Sequence, residues 1–157
     1  MTLFADVVSA SKAVTDTPAR SRKVAILAEL LRRLQASEVP IAVGFLTGVP
    51  RQGRVGVGYS TIYRIELVPA AEPTLTIGEL DAAISRVLET RGGGSAARRR
   101  ELLEGLLARA TEEEADFVKR LFTSGLRQGA LAGVMTDAIA KAAGVAGELR
   151  NAHRGHA

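Results

Sequence analysis

Arginine, glutamine and glycine stand in that order twice in the chain, at Arg51-Gln52-Gly53 and Arg127-Gln128-Gly129, in the related stretches FLTGVPRQG and LFTSGLRQG. An arginine beside a glycine-containing turn is suited to anions. The guanidinium donates bidentate, charge-assisted hydrogen bonds to phosphate oxygens, and a glycine lets a ligand reach backbone N–H groups that a Cβ would shield. Arg51, Arg54 and Arg127 are therefore the candidate phosphate ligands, with Gly53 and Gly129 as points of close backbone approach. A reading without a ligand uses the same residues: the glycines supply positive φ, and the arginines are solvated or cap helix C-termini.

Recurrence favours the anion reading. The two copies lie 76 residues apart, 51 to 127, and the offset holds without a gap from Ser21 over Ala97, giving ten identities in 33 positions. These are Arg22/Arg98, Leu27/Leu103, Leu30/Leu106, Leu31/Leu107, Arg33/Arg109, Glu38/Glu114, Thr47/Thr123 and the three positions of the turn. The shared residues are helix-face leucines and one cationic turn, so the chain is expected to be two copies of one helical unit, roughly 1–75 and 76–157. A pseudo-two-fold protein could set one turn on each of the two antiparallel phosphate strands of duplex nucleic acid, without reading base sequence. Lys23, Arg98 and Arg99 are further candidates, in basic clusters that overlap under the same shift. Each cluster is equally well read as a solvated helix start.

The elements that must carry these turns follow from apolar spacing. Phe4, Val7, Val8 and Val14 recur at helical intervals, with Thr2 as the expected cap; Thr17 and Pro18 are expected to open a second helix with the stripe Val24, Leu27, Leu30, Leu31 and Leu34. Pro40 opens a short helix through Phe45. Beyond it Gly48, Pro50, Gly53, Gly56 and Gly58 make the main loop. Residues 59–68 are β-branched and aromatic, which suits a strand, but their repeat partner is a helix former and helix is the expectation. Thr76/Glu79 and Thr111/Glu114 have the capping-box spacing, and Ser95 is an expected cap after the glycines at 92–94. A helix over 131–144 and a last one from Ala146 to about His153 complete an all-α domain of about ten helices.

Composition supports this class and narrows the functions. With 157 residues, 46% of them hydrophobic and mostly Ala, Leu and Val, the chain can bury a core as one domain. No Cys is present, which rules out thiolate metal sites and disulfides, and no apolar run reaches the ~20 residues of a membrane span. A cytoplasmic, monomeric protein is expected. The net charge of +4, from 21 basic against 17 acidic residues, favours an anionic partner only weakly. Gly53-x-x-Gly56-x-Gly58 lacks the Gly-Lys-Ser/Thr of a P-loop, and His153 and His156 have no partner ligands nearby in sequence. The sequence holds no evident catalytic constellation.

As a whole the pattern resembles the N-terminal DNA-binding domain of ATP-dependent DNA ligases, especially bacterial ones. The resemblance rests on Phe4-x-x-Val7-Val8, on Ser21-Arg22-x-x-x-x-Leu27-x-x-Leu30-Leu31, on FLTGVPRQGRVGVG from Phe45 and on FVKRLFTSGLRQGALAGVMTDAIAKAAG from Phe117. It implies an all-helical domain that lies on the minor-groove side of nicked duplex DNA, near the nucleoid, and helps a ligase of repair and replication to encircle its substrate. Nucleotidyltransferase and OB-fold domains, with ATP and Mg, belong to the full-length ligase that the resemblance implies. No cofactor is expected in this domain: none of Lys12, Lys23, Lys119 and Lys141 opens the family's Lys-x-Asp-Gly. Gly92-Gly93-Gly94 and the final NAHRGHA have no place in the family pattern. The competing reading is a helical-repeat module whose groove takes a partner helix or peptide, with the two turns shaping only the fold.

Overall fold

The computed structural model describes residues 1–123, 125–126 and 131–153, the side chains only as far as residue 144. Among these residues the chain forms α1 (Phe4–Asp16), α2 (Arg20–Arg33), a 3-10 turn at Ala36–Glu38, α3 (Val39–Thr47), α4 (Tyr59–Tyr63), α5 (Ile77–Glu89), α6 (Ser95–Ala108), α7 (Glu112–Phe122) and α8 (Leu131–His153). The described residues contain no strand, only one antiparallel bridge between Leu3 and Thr76. The described residues form eight α-helices in place of the expected ten or so, partly because the two final helices are one. Nothing between Leu131 and His153 breaks it, since an isolated helical glycine such as Gly144 costs only about 1 kcal/mol.

The apolar stripes turn inward as their spacing requires. Phe4 is fully buried and meets Phe45 of α3 edge-on at 5.7 Å and Phe117 of α7 edge-on at 5.4 Å. One side chain thus joins helices from both sequence copies. Around it α1 packs on α2, α3 and α7, α5 packs on α3 and α6, and α2 lies along α8. The repeat leucines Leu27, Leu30, Leu31, Leu103, Leu106 and Leu107 are all buried.

Two of the identical pairs also do matching local work. Thr47 donates its hydroxyl to the Val43 carbonyl at 2.8 Å, and Thr123 donates to the Lys119 carbonyl at 2.8 Å. Glu38 accepts from the Gln35 amide at 2.9 Å, and Glu114 accepts from the Thr111 amide at 2.8 Å. Both are capping-box glutamates. The bridge at Leu3 and Thr76 is reciprocal: the Phe4 amide donates to the Leu75 carbonyl at 2.8 Å, and the Ile77 amide donates to the Thr2 carbonyl at 3.0 Å. Advancing Phe4 and Thr2 by 73 positions gives Ile77 and Leu75, so one bond maps onto the other when the copies are exchanged. Packing follows the exchange, α1 on α7 as α5 on α3, and α2 on α8 as α6 on α4.

Several expected caps are placed differently. Thr2 lies before the first helix and donates both its amide and its hydroxyl to Glu38, at 3.0 and 2.9 Å, leaving Leu3 as the N-cap. As a cap the Thr2 hydroxyl would accept from a helix N–H; here it donates instead to a carboxylate, a charge-assisted bond stronger than a neutral one. Burial alone would raise the Glu38 pKa, but the amides of Thr2 and Gln35 outweigh it and hold the carboxyl below its ordinary range. Thr17 and Pro18 do not start α2, which begins at Arg20 behind an extended Ala19. Ser95 is the first residue of α6 and caps nothing; the N-cap is Gly94 at φ 75°, a conformation that favours glycine. Residues 59–68 divide: Tyr59–Tyr63 is helical and the remainder is not. Pro69 disfavours α geometry at the residue before it, which makes an extended end there natural.

Candidate nucleic-acid interface

The first cationic turn is built by α3 and held by α5. The α3 helix ends at Gly48, whose φ of 91° reverses the chain, and a second turn closes at once through the Gly53 amide to the Pro50 carbonyl at 2.8 Å. Gly53 has φ 96°, again in the left-handed region, and a Cβ there would meet nothing within 4 Å. The expectation of positive φ at this glycine therefore holds together with open space above it. Gly44, one turn back in α3, sits hard against the same loop. A Cβ on it would come within 2.9 Å of the Val49 carbonyl oxygen and 3.1 Å of the Arg51 amide.

Arg51 does not lie loose in solvent. Its Nε donates to Oδ1 of Asp81 at 2.8 Å and its Nη2 donates to Oδ2 at 2.6 Å, a side-on fork reaching from the first sequence copy to the first helix of the second. Gln52 completes the grip, its Nε2 placed to donate to Oδ1 of Asp81 at 2.9 Å, to the Asp81 carbonyl at 3.1 Å and to Ser85 Oγ at 3.0 Å. The hydrogen bonds that Arg51 donates to Asp81, and then the charge of Asp81, raise the Arg51 pKa above the ordinary arginine value, so the guanidinium stays charged at any working pH. The pair is lopsided in exposure: 49% of the Arg51 side chain reaches solvent against 11% of Asp81.

After the turn the loop stays in contact with the body of the domain. Val55 is buried, Gly56 takes φ 68°, and the Val57 amide donates to the Phe122 carbonyl at the end of α7 at 3.2 Å. Arg54, between Gly53 and Val55, is exposed, and among the described residues no carboxylate lies within ion-pair distance of it. Beyond Gly58, α4 shows an exposed Tyr59 stacked on Tyr63 at 4.1 Å, with Lys119 Nζ 5.6 Å from the Tyr63 ring centre. Arg51, Gly53 and Arg54 thus share one loop. Arg127 and Gly129 lie outside the described residues.

The remaining candidates sit on other helices. Lys23 is half-buried in the first turns of α2. Arg98 and Arg99 are exposed at the start of α6 but reach back over the glycine link, Arg98 to the Gly93 carbonyl at 3.4 Å and Arg99 to the Thr90 carbonyl at 3.0 Å. An open groove of about 770 Å3 lies between α1, α7 and residues 63–69, bordered by Lys12, Asp16, Glu112, Asp116 and Lys119. Charges of both signs suit it poorly to a polyanion. Among the described residues no His and carboxylate cluster could hold a metal ion, and no helix is long and apolar enough to cross a membrane.

Sequence reasoning about the cationic turn missed Asp81, Gln52 and Ser85 as a unit. A signal was present: Asp81 stands four residues after Ile77 and three before Ile84, on the helix face that both bury. An acid on a buried face needs a partner, and the nearest expectation would have been an arginine.

Comparison with known proteins gives one family. The model of the family described as DNA ligase N terminus matches residues 58–140. A protein of Rhodococcus opacus (strain B4) named "Probable DNA ligase" is 52% identical over 141 residues, which is 90% of this chain and 28% of that protein. A "Probable DNA ligase" of Saccharopolyspora erythraea is 51% identical over 145 residues, 92% of this chain and 28% of that protein. Another, from Anaeromyxobacter sp. (strain K), is 47% identical over 154 residues, 96% of this chain and 30% of that protein. The chain thus spans less than a third of the length of these curated relatives.

Proposed function

The chain belongs to the DNA ligase N-terminal family, and from that membership we propose that it binds duplex DNA through phosphate contacts, without sequence preference, as the DNA-holding part of an ATP-dependent ligase. Nicked duplex is the substrate the reading names, with the minor-groove side as the face engaged. The observation that carries it is the loop of residues 50–58, where two left-handed glycines, an exposed Arg54 and a half-exposed Arg51 stand on a backbone pinned at both ends. A pinned loop loses little conformational entropy when it meets a phosphate, and a glycine with open space above it lets the phosphate reach backbone amides. The matched bridge and matched helix contacts of the two sequence copies support a pseudo-two-fold grip on two antiparallel strands.

The reaction chemistry belongs elsewhere in the longer protein that the relatives suggest. This stretch has no Lys-x-Asp-Gly, and the reading assigns ATP and Mg to other parts of the longer protein. The role derived for these residues is to hold, orient and present DNA. Fluorescence anisotropy with two duplexes of unrelated sequence, each intact and nicked, tests the reading. It predicts equal affinity for the two sequences and binding that weakens as salt is added. A chain that leaves both duplexes free at low salt refutes it.

A further inference from the structure

Resting on the DNA-binding reading above, we propose that Asp81 is a positioning residue for Arg51, buttressing its guanidinium so that the edge carrying Nη1 is presented ready-made to a phosphate. The fork consumes Nε and one side of Nη2, and among the described residues Nη1 makes no hydrogen bond to the protein. A planar guanidinium fixed along one edge has its other edge fixed as well. Asp81 is suited to the task because it is itself immobile: it stands on the mostly buried side of α5, and Gln52 from the same turn takes a second bond to Oδ1. Gln52 is in turn placed to donate to Ser85 one helical turn along.

A purely structural strut accounts for less of this arrangement. A strut accounts for the satisfied carboxylate of Asp81 but makes no use of the half of the Arg51 side chain that stays open to solvent. The exposed partner is the cation, and the anion that would repel DNA is the one tucked beneath it. The loop around the pair is fixed independently, by Gly44 against Val49 and Arg51 and by the Gly53 to Pro50 turn. Backbone and side chain are thus set by separate devices.

The test is a double-mutant cycle in the 157-residue chain, with affinity for a fluorescent duplex read across a salt series and folding checked by a circular-dichroism melt. R51A is expected to flatten the slope of log affinity against log salt by about 0.9. D81N is expected to weaken binding by roughly three- to tenfold, the effect of releasing one ordered arginine rotamer. In the R51A background D81N is expected to cause no weakening, because nothing remains to be positioned. D81E keeps the charge and moves the carboxylate by one methylene, so it is also expected to weaken binding, and it decides the matter where D81N fails to fold. Tighter binding by D81N in both backgrounds would overturn the proposal by showing that Asp81 only repels DNA. An unchanged slope in R51A would overturn it by making Arg51 a strut. Absence of salt-dependent binding by the unaltered chain would instead refute the DNA-binding reading itself.

Discussion

Replacing Gly44 with alanine separates two effects that usually travel together. In the interior of a helix alanine is favoured over glycine by about 1 kcal/mol, so on propensity alone the change at mid-α3 should stabilise. The structure opposes it. The new Cβ would lie 2.9 Å from the Val49 carbonyl oxygen, 3.1 Å from the Arg51 amide and 3.2 Å from Pro50 Cα, all backbone atoms of the loop that carries the cationic turn. No flexible side chain is available to move aside, and overpacking of this kind costs about 1–3 kcal/mol. Gly105 supplies the control, since it is exposed in mid-α6 and a Cβ there meets nothing within 4 Å. In the difference between G44A and G105A the propensity gain cancels and the steric cost remains, about 1–3 kcal/mol. For a chain of this size that separates the two melting temperatures by roughly 2–12 °C. Urea and thermal unfolding followed by circular dichroism read it directly. The displaced turn is also expected to weaken duplex binding in G44A and not in G105A. A G44A variant as stable as G105A would refute the close approach of α3 to the turn.

Three further outcomes follow from the same geometry. Phe4→Ala, which removes the ring joining Phe45 and Phe117 at the centre of the core, is expected to cost about 3–5 kcal/mol in urea unfolding; a loss near zero would contradict the central packing. The hydrogen bond from Arg109, with that of the Thr76 amide, lowers the Glu79 carboxyl from its ordinary 4.5 to about 2, so the stability it contributes is fully present above pH 4.5 and is lost as pH falls through about 2. Unfolding of the unaltered chain should therefore depend more steeply on pH in that window than unfolding of E79Q, and equal slopes would remove the pair from the account. Arg54→Ala is expected to leave the melting temperature unchanged while flattening the salt slope of duplex binding by about 0.9, and an unchanged slope would exclude Arg54 from the phosphate contacts.

Helix identity and core were largely legible because they rest on periodic apolar residues and on two side-chain signatures. The Thr76/Glu79 and Thr111/Glu114 boxes form as spaced, and the leucines that align between copies all reach the core. Local cap signals failed where a tertiary partner competed better. Thr2 serves the buried Glu38, a contact 36 residues distant that no local window contains. The turn was legible as a turn, and Gly53 as its left-handed residue. What local reading could not supply was the side-chain partner of Arg51, since Asp81 arrives from a helix 30 residues on and looks like an ordinary solvated acid until its face is known. Recurrence of the arginine between copies is matched in the α1 and α5 helices by no recurrence of the acid: 73 positions before Asp81 stands Val8.

If this helical chain holds duplex DNA by its phosphates, the salt dependence of duplex affinity must register each contact. Affinity measured between about 50 and 200 mM salt on two unrelated sequences should fall along one common line, with a slope of about −0.9 for each phosphate contacted. Arg51, Arg54 and Arg127 together set the expected steepness at roughly −3 or beyond. A flat line, or two sequences that separate widely at equal salt, would contradict it.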